Sequence, residues 1–269
     1  MKIFAKYHRD AVADIIFLCP DINKDYKTAF GPTLPHPLTH LEKVTPEPHN
    51  LIIVENSGPG FTFAGTVHAG IPHTRNTPLV VVYSDDVYPE EGWLSGMIEA
   101  FATDPKLGIC GAVQYAPNLN PGMGNANNRM THIGGRFDEV EVRAHQLPRD
   151  GTDPAEKHLQ TRWCVGMNDE EIPKADKIIY SDWVNGAIMG VSRKAWDDLG
   201  GLDTRFKFFW DDVDICFRAG VKGYTVGVHY DVLCVHLGGA TVRTMSFSQE
   251  ASRKIMMMKM AELGEAEQP

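Results

Sequence analysis

The sequence predicts an α/β fold: a mixed, mostly parallel central sheet flanked by helices. Three observations lead there. Short runs rich in isoleucine, leucine and valine end in polar residues, as strands buried on both faces do. Between two of these runs lies a segment with apolar residues at helical spacing. The composition, 43% hydrophobic and 23% charged over 269 residues, is that of a packed globule rather than a disordered chain.

Ala13–Cys19 (ADIIFLC), residues 51–55 (LIIVE) and Leu79–Ser84 (LVVVYS) read as the first three strands. Residues 108–114 (GICGAVQ) are a fourth, although Gly108 and Gly111 lower its strand preference. Residues 92–103 carry Trp93, Leu94, Met97, Ile98 and Phe101 on one helical face. Residues 20–50 are rich in proline and receive no assigned helix. Residues 115–177 read as irregular, with a hairpin expected around 131–145. Residues 211–220 open with acids and read as a helix, and Val232 to His236 as a further strand. Residues 246–263 read as a terminal helix in which the Met256–Met258 run serves packing. We expect one domain over 1–245, with 246–269 as a C-terminal helix and tail.

The net charge of −9 gives no general electrostatic reason to coat nucleic acid or anionic lipid. No window reaches the roughly 18 apolar residues of a membrane span. The N-terminal apolar stretch, interrupted by Asp14, is too short for a signal core. Cys19, Cys110, Cys164, Cys216 and Cys234 are scattered and form no CxxC pair, as expected of reduced thiols in a cytoplasmic protein.

In a parallel sheet, ligands gather at the carboxyl ends of the strands. Ser84, Asp85 and Asp86 end the LVVVY run there, either as a polar turn or as a site for Mg²⁺ or Mn²⁺, which prefer oxygen ligands. Phe208, Phe209 and Trp210 lead into Asp211, Asp212 and Asp214 at a helix start. Capping such a helix needs one carboxylate, so the others either complement the helix dipole or serve chemistry, while Asp214 and Arg218 at i and i+4 suit a structural ion pair. An aspartate beside aromatic rings is partly desolvated and a better proton acceptor. His236 ends VLCVH and is either an ordinary histidine or a displayed metal ligand. Trp163, Trp183 and Trp210 are candidates for stacking on a sugar, with a loop anchor the alternative for Trp163. Gly134 and Gly135 suit either a bulge or a close approach to ligand.

Taken in order, these segments resemble the inverting nucleotide-sugar glycosyltransferases of family 2, which have the GT-A fold. The similarity runs from about residue 13 to 241. IIVENSGPGF is similar to the family's first donor-binding turn, and VVVYSDDVYPEEGWL to its DxD strand and following helix. GAIMGVSRKAWDDLGGLDTRFKFFWDDVDICFRAGVKGYTVGVHYDVLCVHLGG carries, in the family's order, a Gly–Ala strand, a GG turn, an aromatic–acid–acid helix start and a terminal histidine. The resemblance implies Asp86 and His236 as ligands of Mn²⁺ or Mg²⁺, with Ser84 where the first acid of the motif often lies. It implies Glu55, Asn56 and Asp85 as donor-binding residues, with Glu55 where aspartate is commoner. It implies Asp212 as general base, Asp211 as orienting the acceptor, and Trp210 and Trp183 as acceptor-binding.

The implied activity is metal-dependent transfer of a hexose or pentose, with inversion, from a nucleotide diphosphate donor, UDP by family frequency. The acceptor hydroxyl belongs to a glycan, protein, lipid-linked sugar or modified base. The WDD spelling with a downstream histidine is similar to the galactofuranosyl- and rhamnosyl-transferring branches. The terminal helix offers a surface for self-association. Two alternatives are a non-catalytic nucleotide-sugar or carbohydrate-binding protein with a degenerate metal site, and a sugar-phosphate nucleotidyltransferase. The latter calls for a basic, glycine-rich loop after the first strand, where FLCPDINKDY has none.

Overall fold

The computed structural model describes residues 1–19, 22, 35–57, 61–116, 129–132, 137–139, 159–161, 177–207, 209–237 and 249–266. The chain runs through strands β1 (Lys2–Lys6) and β2 (Ala13–Cys19), helix α1 (Pro37–Val44), β3 (His49–Glu55) and helix α2 (Phe63–Gly70). It continues through β4 (Leu79–Ser84), β5 (Val87–Pro89), α3 (Trp93–Thr103), β6 (Leu107–Ala116), β7 (Arg129–His132), β8 (Phe137–Glu139) and β9 (Leu159–Thr161). The last elements are β10 (Ile178–Ser181), β11 (Ile188–Ser192), α4 (Arg193–Leu199), α5 (Asp211–Val221), β12 (Thr225–His236) and α6 (Gln249–Ala266).

The main sheet has the order β1-β3-β2-β4-β11-β6-β12-β10, with β5 added to β12 and β7 to β6. β2 is parallel to both β3 and β4, and β12 is parallel to β6. β11 is antiparallel to β4 and β6, so it reverses direction twice and leaves the long strands β3, β2, β4, β6 and β12 pointing one way. Their carboxyl ends therefore share one rim.

Alternation along the strands divides the core between the two faces. Ile16, Leu18, Val80 and Val82 join Ala64 and Val67 of α2, Trp196 of α4, Ile215 and Cys216 of α5, and Met256 of α6. Ile15, Phe17, Val81 and Tyr83 join Leu41 of α1 and Trp93, Leu94 and Met97 of α3. All seven residues of β2 are buried, which explains why its apolar run is unbroken.

The expected strands at 51–55 and 108–114 lie within β3 and β6, and the expected helix at 92–103 is α3. α1 lies within the proline-rich stretch: Pro37 opens it, where a missing N–H costs nothing, and the His36 ring accepts from the Leu38 amide. The expected hairpin around 131–145 is corrected. β7 pairs with β6, and β8 pairs with the distant β9. Short strands find their partners by tertiary register, which local turn signals do not report. The terminal helix is present as α6, with Met256 fully buried. Trp163, Gly134, Gly135 and Cys164 lie outside the described residues.

Candidate active site

The metal candidates meet because of strand pairing. β5 leaves the turn at Asp85 and Asp86 and runs antiparallel to β12, with Val87 opposite His236. The Leu237 amide donates to the Asp86 carbonyl at 3.0 Å, closing the ladder. Asp86 Oδ1 consequently lies 3.5 Å from His236 Nε2. The Tyr83 hydroxyl donates to the Val87 carbonyl at 2.8 Å and pins the turn from below. Asp85 and Asp86 are both buried. Their negative field is visible in Tyr88, whose phenol is held above its usual range first by burial and then by these two carboxylates.

Among the described residues, no group of three or more His, Cys, Asp or Glu side chains is placed to hold a metal ion. One carboxylate and one imidazole fit a divalent cation that takes its remaining ligands from substrate phosphates and water, and the imidazole suits Mn²⁺ better than Mg²⁺.

A line of hydrogen bonds joins this pair to the acid pair on α5. His236 Nδ1 lies 2.9 Å from Gln114 Oε1. Gln114 Nε2 donates to Asn185 Oδ1 at 3.4 Å. The next amide in the chain, Gly186 N–H, donates to Asp212 Oδ2 at 2.9 Å, and Val213 N–H donates to Asp212 Oδ1 at 2.9 Å. A Cβ on Gly186 would stand 3.1 Å from Asp212 Cβ, so the approach depends on glycine. Burial raises the Asp212 carboxyl above its ordinary value, against the two amide hydrogen bonds.

Asp211 is 4% exposed, and its Oδ2 has no hydrogen-bond partner. Burial, followed by the neighbouring Asp212, pushes its carboxyl up as well. Phe209 and Trp210, which precede it, adopt φ of 64° and 71°. Two bulky residues in the left-handed region are strained, a cost that recurs where a functional segment must be aimed. Trp210 is half-buried at the helix start.

Asp214 takes the structural role expected for it. Its Oδ2 accepts from Arg218 Nε at 2.8 Å. Lys259 of α6 pairs with Asp214 Oδ1 and reaches Asp203 Oδ2 at 2.8 Å. The terminal helix is thus tied to the helix that carries Asp211 and Asp212.

Glu55 ends β3 on the same rim. Its Oε1 pairs with Lys2 at 3.0 Å, whereas its Oε2 is buried without a partner, an orphan acceptor available to a ligand donor. Asn56 Nδ2 donates to Thr66 Oγ1 at 2.9 Å and ties the turn to α2.

Trp183 requires a correction. It is 2% exposed and packs in the core, so its ring is not offered to an acceptor. Sequence reasoning also missed Gln114, Asn185, Gly186 and Lys259. Gln114 had a readable signal, because it is a polar residue near the carboxyl end of an apolar run. Lys259 had none.

No helix of the described residues is long and apolar enough to cross a membrane. A model of the family described as "Glycosyltransferase like family 2" matches residues 43–256. No curated protein matches the chain in sequence. The structure is similar to a crystal structure of GalNAc-T7 with UDP, GalNAc and Mn²⁺, with a TM-score of 0.56 and 10% identity, over 84% of this chain and 43% of that one. It also resembles the mannosyltransferase PcManGT from Pyrobaculum calidifontis in complex with GDP-Man and Mn²⁺, with a TM-score of 0.45 and 14% identity, over 86% of this chain and 58% of that one. The chain therefore spans less than two thirds of either of those proteins, and the first of them shares its fold.

Proposed function

The chain belongs to glycosyltransferase-like family 2, and on that premise we propose that it transfers a sugar from a nucleotide diphosphate donor to an acceptor hydroxyl with inversion at the anomeric carbon. The observation that carries this reading is the juxtaposition of Asp86 with His236 at 3.5 Å, linked through Gln114 and the Asn185–Gly186 turn to Asp212. Asp86 and His236 would hold Mn²⁺ or Mg²⁺. When bound, the cation supplies positive charge against the departing diphosphate.

Asp212 accepts the proton of the acceptor hydroxyl as that oxygen attacks the anomeric carbon. Its raised carboxyl and the two backbone amides that fix its oxygens suit a base held in one orientation. Asp211, whose carboxyl is pushed up by burial and by Asp212, orients the acceptor, and Trp210 provides a flanking ring for it. Glu55, with its unpaired buried oxygen, and Asp85 receive the donor's nucleoside and sugar, with Asn56 bracing the turn. A UDP-sugar is our choice of donor, on the frequency of UDP in the family. The acceptor belongs to the class of glycans, proteins, lipid-linked sugars or modified bases, and the setting is cytoplasmic. Self-association through α6 would use its outer face, where Met258 is exposed, because Met256 is already committed to the core.

The test is incubation with Mn²⁺ and a panel of UDP-, GDP- and dTDP-sugars, following release of the nucleotide diphosphate. Asp212→Asn is expected to retain donor binding and to lose at least about 100-fold in turnover. Tight donor binding without turnover in the wild type, or normal turnover in the variant, would overturn the assignment.

A further inference from the structure

We infer that Gln114 is a positioning residue that holds the neutral His236 imidazole as the Nδ1–H tautomer, so that the Nε2 lone pair faces Asp86 and is ready for a divalent cation. The inference rests on the proposed metal site and adds to it the group that prepares it.

The proton positions follow from one main-chain amide. The Ala187 N–H donates to the Asn185 side chain at 2.9 Å, and a main-chain N–H has only one polarity. The Asn185 atom that receives it is therefore the oxygen. Gln114 meets that same oxygen with Nε2 at 3.4 Å. The opposite flip of Gln114 would set two amide oxygens against each other, and flipping Asn185 as well would set its NH₂ against the Ala187 N–H. With Nε2 committed, Gln114 Oε1 is the atom 2.9 Å from His236 Nδ1. An amide oxygen only accepts, so Nδ1 carries the proton, and in a neutral imidazole Nε2 then bears the lone pair.

Nε2 is the atom 3.5 Å from Asp86 Oδ1. Two acceptors facing each other at that distance repel, and a cation between them turns the repulsion into coordination. The fold supports the arrangement from behind. β12 and β6 pair in parallel with Cys234 opposite Gln114, so alternation carries His236, two residues on, to the same face. Gln114 is 1% exposed, which keeps water from taking over its bond to the ring. A partner on the second nitrogen of a ligating histidine commonly sets its tautomer and orientation. Here that partner is itself oriented by the turn whose next amide, Gly186 N–H, holds Asp212.

Two measurements test this. In metal-free protein carrying ¹⁵N-histidine, above the pH at which the ring titrates, long-range ¹H–¹⁵N spectra should place the His236 proton on Nδ1. Gln114→Met, of similar size, should release it to Nε2. A proton on Nε2 in the wild type overturns the inference. In the second measurement, Mn²⁺ is titrated by electron paramagnetic resonance with UDP present. Gln114→Met should weaken binding by about 10–100-fold. Equal Mn²⁺ affinity in wild type and Gln114→Met overturns the positioning role. Absence of Mn²⁺ binding in a wild type with the Nδ1–H tautomer instead overturns the metal reading on which the inference rests.

Discussion

Replacing Lys259 with methionine isolates what α6 contributes to fastening the helix that carries Asp211 and Asp212. The Lys259 side chain is 12% exposed, with its ammonium paired to Asp214 Oδ1 and lying 2.8 Å from Asp203 Oδ2. The same nitrogen stands 5.5 Å from the centre of the Phe206 ring. Methionine keeps an apolar stem in that space and removes only the charge. Breaking a buried pair outright costs about 3–5 kcal/mol, because a charge is left without compensation. Here each carboxylate retains a guanidinium: Arg218 on Asp214 at 2.8 Å and Arg205 on Asp203 at 2.7 Å. The expected loss is therefore smaller, about 2 kcal/mol. In a chain of this size each kcal/mol corresponds to roughly 2–4 °C, so the midpoint should fall by about 4–8 °C. Scanning calorimetry at neutral pH measures it. Lys259→Arg should recover most of the loss. A Lys259→Met midpoint within about 1 °C of wild type would refute the argument that this network fastens α6 to α5.

Gly186→Ala would place a carbon 3.1 Å from Asp212 Cβ and 3.4 Å from Phe63 Cε1. Carbon contacts settle at about 3.5–4.0 Å, so Asp212 must recede by roughly half an ångström. Turnover should drop about 10-fold with little change in donor affinity, as a comparison of kcat with KM would reveal. Asp211→Asn should stabilise the protein at neutral pH. The folded-state carboxyl is raised by burial, so the stability it contributes is complete below the unfolded value of about 4 and is lost as pH rises from there through the folded value. Asparagine escapes that loss, so melting curves of the two proteins should diverge between acid and neutral pH and meet near about pH 4. A wild type as stable as the variant at pH 7.5 would contradict the raised carboxyl.

Much of the fold was legible because burial on both faces writes itself as unbroken apolar runs. β2 and β4 were readable to the residue, and α3 from its spacing of Trp93, Leu94, Met97 and Phe101. The rule that parallel strands display ligands at their carboxyl ends then directed attention to Asp86 and His236, and the structure brings the two side chains together. α1 was not legible, because prolines that break helices in their interiors are also favoured at a first turn, and only the His36 cap distinguishes the cases. Trp183 was misassigned because its indole suits a sugar face and a core equally well, and burial alone decides between them.

Asn185, Gly186 and Lys259, and the partner that Gln114 meets, lay beyond the sequence for a more general reason. Periodicity and motif order are properties of neighbours in the chain, and they determined β2, β4, α3 and the identity of the acids at the rim. Which polar atom meets which depends on register between distant strands: β5 along β12, β12 along β6, and α6 folded back over α5. The tertiary structure alone decided that a glutamine faces His236 with its oxygen and that a glycine amide holds Asp212, because a hydrogen bond is set by position and polarity at about 3 Å, and no spacing along the chain encodes either.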